Sequence, residues 1–418
     1  MGTARWARVV GMTVVIMTSG CGALGASDPV PVRSTLVLGE LPDDGRAVEA
    51  GPRRVTRVAV APPVAIGGAA TAGAGAVREP GPEPNQLTMA FTGDTLMHRP
   101  LVDQAARNAG GNGYDFAPML ARIAPIIGAA DLAVCHLETP IAPPGEAPST
   151  FPLYGVPAEV ATGIASAGYD RCSTASNHTL DRGTAGIDAT IAALGLAGLG
   201  QSGMASDPTG IEPQVFTVDG VQISHLSYAY GFNGIPLPRD EPWRSAVIDP
   251  ARIVADATTA RSMGAQIVIV SLHWGTEGES GITDQQRSVA EAITASGQID
   301  LVVGHHAHVL QPIEQVNGVW VIFGLSNLVS NLGEIDGWPA GVADGAIAEV
   351  RFVEQADGRY AVEQPVVEPT WVDAPAGWVV RPVLADLADP TVPDGVKARL
   401  QASLGRTAAV LGAFLPAA

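Results

Sequence analysis

Short runs rich in apolar residues recur along the chain from residue 87, and each run leads into a cluster of polar side chains. The runs and their clusters are 87–91 with Gly93-Asp94, 131–135 with Leu137-Glu138, 168–169 with Ser176-Asn177-His178, 267–270 with His273-Trp274-Gly275, and 301–303 with Gly304-His305-His306-Ala307-His308. Such runs are typical of strands that are buried on both faces of a sheet. Because ligands collect at the carboxyl ends of strands in α/β sheets, we expect these clusters to share one edge.

Helical patterns separate the apolar runs. Asp249 is an N-cap, Pro250 a first helical position, and Gly264 ends that helix. Thr283 and Gln286 form a capping box at the start of another helix. Strands that alternate with helices predict an α/β layered fold.

The C-terminal part of the chain carries a different pattern. An alternating stretch at 347–352 and a turn at 356–358 predict an antiparallel hairpin that closes the sheet, and residues 391–412 predict a terminal helix. The folded domain, 87–418, therefore divides into a motif core at 87–335 and a C-terminal hairpin and helix at 336–418.

Residues 1–20 have the order of features of a secretory signal peptide: two arginines, an apolar core at 9–17 and small residues. The core is shorter than the roughly 20 residues that span a bilayer. Ser19-Gly20-Cys21 resembles the lipobox of bacterial lipoproteins, which implies lipidation of Cys21, although Thr18 replaces the usual Leu. An ordinary secretory signal is the alternative. In either case we expect an extracytoplasmic protein, which lipidation would anchor to the outer face of the cell membrane.

The next segment, residues 21–86, is rich in Pro, Gly and Ala. It contains no periodic pattern of apolar residues long enough to form the buried face of a helix or strand. We therefore expect a flexible tether, with 55–60 as a candidate short strand.

Composition limits the partners. With 24 basic and 42 acidic residues, the formal charge is −18. The chain lacks the basic surface that nucleic-acid binding needs, so we expect no nucleic-acid partner. An anionic substrate would instead have to be attracted by bound metal ions. Three cysteines are too few for a disulfide scaffold, and we expect Cys135 and Cys172 to be buried free thiols rather than a disulfide.

The histidines carry the functional argument. They are His98, His136, His178, His225, His273, His305, His306 and His308. A lone histidine after a strand is usually structural, and we assign His225 to the core. Which face of its strand His136 lies on stays open. Several histidines beside Asp94, Glu138 and Asn177, however, form the ligand set of divalent metal ions. The spacing of His306 and His308 would place both imidazoles on one side of an extended loop.

These motifs, together with Leu310-Gln311 and Gly324-Leu325-Ser326-Asn327, resemble the successive motifs of the CapA family of capsule or poly-γ-glutamate synthesis proteins. The resemblance covers residues 87–335 in matching order. That family is similar to calcineurin-like metallophosphoesterases, which implies a four-layer α/β/β/α sandwich and two divalent metal ions (Mn, Zn or Fe).

The resemblance also implies roles for individual residues. Asp94 and His308 would bind the first metal ion, Asn177, His273 and His306 the second, and Glu138 would bridge the two. His178 would be the catalytic residue, either as an acid or as a donor to a developing phosphoryl charge.

Several positions depart from the pattern or stay open. Leu96 replaces a metal-binding histidine, and His98 is either its substitute or exposed to solvent. Glu138 replaces the usual bridging Asp, so one metal ion, or none, remains an alternative. Arg99 and Arg182 either hold an anionic substrate or are ordinary surface residues. The acidic pair Glu334 and Asp336 is expected in a solvated loop.

Two functional hypotheses follow. The first is a metal-dependent hydrolase. It would act in capsule polymer synthesis and export or, alternatively, as a general secreted phosphoesterase. The second is a non-catalytic, membrane-tethered platform of a polymer assembly complex. The expected partners are an anionic polymer or phosphorylated substrate and the ligase or exporter subunits of the membrane.

Overall fold

The computed structural model describes residues 85–333 and 337–417, and the elements named below lie in these ranges. The strands are β1 (Gln86–Thr95), β2 (Leu132–Leu137), β3 (Arg171–Ser173), β4 (Gly200–Ser202), β5 (Val215–Val218), β6 (Val221–Ala229), β7 (Ile267–His273), β8 (Leu301–His305), β9 (Ile313–Val316), β10 (Val319–Ile322), β11 (Asn327–Val329), β12 (Asp344–Glu354), β13 (Tyr360–Val362), β14 (Val366–Asp373) and β15 (Val379–Pro382). The helices are α1 (Arg99–Asn108), α2 (Ala117–Leu120), α3 (Ala124–Ile127), α4 (Glu159–Ser166), α5 (Gly183–Leu196), α6 (Pro250–Ser262), α7 (Asp284–Thr294), α8 (Val383–Ala388) and α9 (Asp394–Leu411).

The strands form two sheets. The first has the order β15-β14-β12-β1-β2-β3-β4, with β11 beside β1 and β13 beside β12. The second has the order β5-β6-β7-β8-β10-β9. The pairings β1–β2, β2–β3, β3–β4, β6–β7 and β7–β8 are parallel, whereas β12 joins β1 antiparallel.

Apolar residues place the sheets face to face with helices outside. Met89 and Phe91 of the first sheet share a core with Ile269 and other residues of the second. On the opposite face of the first sheet, Ala90 belongs to a core shared with α1, α4 and α5. Val268, on the outer face of the second sheet, packs with α6 and α7. The layers are therefore α/β/β/α, as the family resemblance implies.

The local predictions for helices and the hairpin are confirmed. Asp249 caps α6 by accepting a hydrogen bond from the backbone N–H of Ala251, and the capping box of Thr283 and Gln286 begins α7. Strand β12 pairs antiparallel with β13 across the predicted turn, and α9 is the terminal helix.

The two cysteines correct a prediction. Cys135 in β2 and Cys172 in β3 are joined by a disulfide, with their Cα atoms 4.4 Å apart. The expectation of free thiols is wrong because the parallel pairing of β2 with β3 places Cys135 directly opposite Cys172.

The remaining N-terminal predictions concern residues outside this part of the chain. The signal peptide, Cys21, nearly all of the tether with its candidate strand at 55–60, and the pair Glu334 and Asp336 lie outside the described residues. Within the described ranges, every helix is too short or too polar to cross a bilayer.

Candidate metal centre

Strand pairing brings the polar clusters together. The parallel pairing of β1 with β2 places Asp94 opposite His136, and that of β7 with β8 places His273 opposite His305. All four side chains are almost wholly buried. The carboxyl ends of strands from both sheets therefore contribute to a single buried site.

The first part of the site, here called the aspartate group, consists of Asp94, His136 and His305. Oδ1 of Asp94 lies 3.4 Å from Nδ1 of His305 and 4.0 Å from Nε2 of His136. The rings of His136 and His305 stack with their centroids 4.0 Å apart. Nδ1 of His136 lies 2.8 Å from Oγ of Ser173, which helps to fix the orientation of the imidazole.

The second part, here called the glutamate group, consists of Glu138, His306 and His308. Nε2 of His308 lies 3.8 Å from Oε1 of Glu138, whereas its Nδ1 lies 2.9 Å from Oδ1 of Asn327 and 3.2 Å from Oδ2 of Asp94. Because Nδ1 already has these partners, Nε2 is the nitrogen that remains for a ligand.

His273 and Asn177 connect the two groups. Nε2 of His273 lies 3.1 Å from Oδ1 of Asn177 and 3.9 Å from Oε1 of Glu138. Nδ1 of the same ring lies 3.0 Å from Nε2 of His136. The six predicted metal ligands thus lie together, and His308 approaches both Asp94 and Glu138.

The loop after β8 is not extended, in contrast to the sequence prediction. His306 and His308 have φ angles of 91° and 56°, in the left-handed region that non-glycine residues seldom adopt. The backbone N–H of His306 donates a hydrogen bond to Oδ2 of Asp94 at 3.0 Å. A compact turn, rather than strand-like alternation, therefore presents both imidazoles to the site, and such backbone strain is common at functional sites.

The site also requires glycine. A Cβ atom at Gly304 would overlap the carbonyl oxygen of Phe323 and the indole nitrogen of Trp274. A Cβ atom at Gly93 would overlap the carbonyl oxygen of Ser326. Both glycines allow the backbone to approach closely next to residues of the site.

The chemistry of this cluster fits divalent cations. Oδ1 of Asp94, both carboxylate oxygens of Glu138, both ring nitrogens of His305 and Nδ1 of His306 are buried and lack a hydrogen-bond partner among the described residues. Buried groups of this kind are costly unless something compensates them. Carboxylate oxygens and imidazole nitrogens together are the ligand set of Mn, Zn or Fe ions. The residues present therefore fit a metal centre.

The pKa values of the carboxylates diverge within this cluster. Burial raises the pKa of Glu138 well above its usual value, and the nearby charge of Asp94 raises it further. Burial also acts on Asp94, but its contacts with His305 and His308 outweigh burial and hold the pKa well below the usual value.

The pKa values of two histidines of the cluster, His306 and His308, also shift in opposite directions. Burial lowers the pKa of His306 to about 3. Burial lowers the pKa of His308 too, but the charges of Glu138 and Asp94 outweigh this and raise it to about 9.

His178 lies beside the cluster in a pair with Asp181. Its Nδ1 is 2.7 Å from Oδ2 of Asp181, which also accepts a hydrogen bond from the backbone N–H of Tyr154 at 2.8 Å. The ring of Tyr154 packs edge-on against His178 with a centroid distance of 4.7 Å. The pair leaves Nε2 of His178 as the nitrogen that can meet a substrate.

A cavity of about 630 Å³ adjoins the cluster. It is lined by Leu96, His98, Phe151, Tyr154, His178, Glu277, His308, Asn331, Leu332 and Trp338. Its position next to His178 and His308 makes it the entrance through which a substrate would reach the cluster.

The other candidate residues lie as follows. His98 is not in either ligand group; its Nδ1 accepts a hydrogen bond from the backbone N–H of Asn331, and its ring is mostly buried in the cavity wall. Arg99 forms an exposed pair with Asp103, and Arg182 forms an ion pair with Glu146. Neither guanidinium lines the cavity.

Sequence reasoning missed several members of the site. His136 and His305 join Asp94, although no role was assigned to either from the sequence. The sequence indicates His136 by its position one residue after Cys135 and two before Glu138. The face of the sheet on which its side chain lies, however, depends on the strand register. Asp181, three residues after His178, is a second omission.

The fold and site define an α/β/β/α sandwich with a candidate metal centre at its strand ends. The family model described as "Bacterial capsule synthesis protein PGA_cap" matches residues 88–332, and the chain belongs to this family. The PGA biosynthesis protein CapA of Bacillus subtilis is 26% identical over 66% of this chain and 70% of its own length. The capsule biosynthesis protein CapA of Bacillus anthracis is 26% identical over 60% of this chain and 61% of its own length.

Solved structures offer a weaker likeness. The calcineurin-like phosphoesterase YfkN of Bacillus subtilis is 16% identical, covers 77% of this chain and 98% of that chain, and has a TM-score of 0.42.

Proposed function

We propose that this protein is an extracytoplasmic, metal-dependent hydrolase that acts on a phosphoester in the synthesis or export of a capsule polymer such as poly-γ-glutamate. The observation that carries the proposal is the set of buried, unpartnered carboxylate and imidazole atoms beside the pair of His178 and Asp181. The printed names of the relatives supply the link to capsule polymer.

The residues of the site would have two roles, metal binding and proton donation. The aspartate group, the glutamate group, His273 and Asn177 would hold one or two divalent ions. Such ions would supply positive charge that draws in a phosphoryl group and would make a water molecule more acidic. His178, oriented by Asp181, would donate a hydrogen bond or a proton to the oxygen that leaves. The buried surroundings exclude bulk water from these groups and strengthen their interactions.

The location and the partners are part of the proposal. The disulfide between Cys135 and Cys172 supports an oxidising compartment, in which disulfides form and persist. The signal-like residues 1–20 and Cys21 support export and lipid anchoring at the outer face of the membrane. The membrane ligase or exporter of the polymer would be the partner.

The test is a comparison of the full chain with two variants. The purified protein should contain Mn, Zn or Fe by elemental analysis and should hydrolyse bis(4-nitrophenyl) phosphate. Glu138→Gln and His308→Ala should each abolish turnover. Glu363→Gln, at a side chain that is 53% exposed in the loop between β13 and β14, should leave turnover unchanged. Full activity in both site variants would overturn the catalytic proposal, and metal binding without turnover would favour the non-catalytic platform.

A further inference from the structure

The cavity next to the metal centre has a wall of apolar side chains. Leu96, Phe151, Leu332 and Trp338 are among its lining residues. Phe151 is 76% exposed, so its ring is accessible to a ligand in the cavity. The ring of Trp338 stands edge-on to His308, with the centroids 5.6 Å apart, so the apolar wall reaches the edge of the site.

Beyond His178 and His308, the described residues that line the cavity offer no positive charge to an anionic occupant. Among the described lining residues, Glu277 carries the only carboxylate, and there is no Lys or Arg. Burial lowers the pKa of His98 to about 4, so this imidazole is neutral near pH 7. Arg99 and Arg182 are paired with other carboxylates away from the cavity. Away from His308, a carboxylate of a polyglutamate chain would therefore meet Glu277 and apolar side chains without a compensating cation.

We propose that this cavity binds an uncharged aromatic or alkyl group of the substrate, whose phosphoryl group reaches the metal centre. The substrate would then be an amphiphilic phosphoester rather than a segment of the polyanionic polymer itself. The size of the cavity is in the range that encloses a small organic group. Calling this group part of the substrate rests on the proposed hydrolase function, but its binding to the cavity does not.

A matched pair of fluorescent probes tests the inference without turnover. N-phenyl-1-naphthylamine is neutral, and 1-anilinonaphthalene-8-sulfonate has the same rings with an added sulfonate. With the full chain and its own metal content, the neutral probe should bind although it has no anionic group, and removal of the metal with EDTA should weaken binding of the sulfonate more than binding of the neutral probe. Trp338→Ala and Phe151→Ser should each weaken the neutral probe by about tenfold, because they remove aromatic contact area.

Two further variants complete the experiment. Glu277→Gln should strengthen binding of the sulfonate and leave the neutral probe nearly unchanged. Leu196→Ala, at a leucine that is 90% exposed at the end of α5, should change neither. No detectable binding of the neutral probe, or neutral-probe binding that resists both aromatic substitutions, would overturn the inference even in an active hydrolase. Neutral-probe binding that both substitutions weaken, in a protein without hydrolase activity, would uphold the subsite while refuting the proposed function.

Discussion

Nδ1 of His178 lies 2.7 Å from Oδ2 of Asp181, and both side chains are largely buried. A second donor, the backbone N–H of Tyr154, holds the same carboxylate oxygen in place. The carboxylate therefore fixes the orientation of the imidazole and leaves Nε2 as the nitrogen that can act on a substrate.

Removing the charge of Asp181 should slow the reaction without emptying the site. Asp181→Asn keeps the size of the side chain and an oxygen for Tyr154, but it loses the negative charge beside Nδ1 of His178. We expect kcat to fall by roughly 10²-fold, with little change in KM. Steady-state kinetics with an activated phosphodiester measure this, and elemental analysis should give the same metal content as wild type. Asp240→Asn, at an exposed carboxylate, is the matched control; a full-rate Asp181→Asn enzyme would show that the pair has no catalytic role.

In the metal-free protein, the buried carboxylate of Glu138 should lower the free energy of unfolding. Its two carboxylate oxygens are fully buried and lack hydrogen-bond partners. Glu138→Gln should therefore raise the free energy of unfolding of EDTA-treated protein by about 1–3 kcal/mol. In excess Mn or Zn the order should reverse, because only wild type gains the full stabilisation by the ion. Urea denaturation with and without metal measures both effects, and the same order under both conditions would argue against a metal centre at Glu138.

The sequence predicts the fold and the place of the site because the relevant signals are local. Strands that are buried on both faces appear as continuous apolar runs, and the polar residues that follow them must collect at strand ends. The grouping of ligands is not local, since the opposition of Asp94 and His136 depends on the register of β1 against β2. The same limit explains the disulfide, because Cys135 meets Cys172 only through the pairing of β2 with β3. The cavity likewise joins Phe151 to Trp338, which lie far apart in the sequence.

The disulfide should contribute to stability. It closes a loop with a sequence separation of 37 residues, which restricts the unfolded chain. The double variant Cys135→Ala/Cys172→Ala should lose about 2–4 kcal/mol of unfolding free energy. Dithiothreitol should destabilise wild type under denaturing conditions but leave the double variant unchanged. A variant as stable as oxidised wild type would show that the bridge does not stabilise the protein.

Gly304 should not tolerate a side chain. Its Cβ atom would overlap the backbone of Phe323 and the indole of Trp274, both of which are buried. Gly304→Ala should therefore destabilise the protein by about 3 kcal/mol or more, as overpacking against backbone does. Gly405→Ala is the contrasting control, because Gly405 lies in α9 with open space around its Cβ position. That change should stabilise the protein by about 1 kcal/mol. Chemical denaturation of both variants measures the difference, and a neutral Gly304→Ala would contradict the close approach.

Glu368 in β14, which belongs to neither ligand group, should make stability depend on pH. Burial raises its pKa to about 7, and the charge of Glu349 adds to this, although the carboxylate accepts a hydrogen bond from the backbone N–H of Leu384. The folded protein therefore holds a proton that the unfolded chain releases near pH 4.5. The stabilisation is fully present below that pH and is lost as the pH rises through about 7. Glu368→Gln keeps the hydrogen bond to Leu384 and stays uncharged, so its melting temperature should exceed that of wild type at pH 8 and match it at pH 4. Glu363→Gln should show no such trend, and parallel pH profiles for Glu368→Gln and wild type would mean that Glu368 titrates as it does in water.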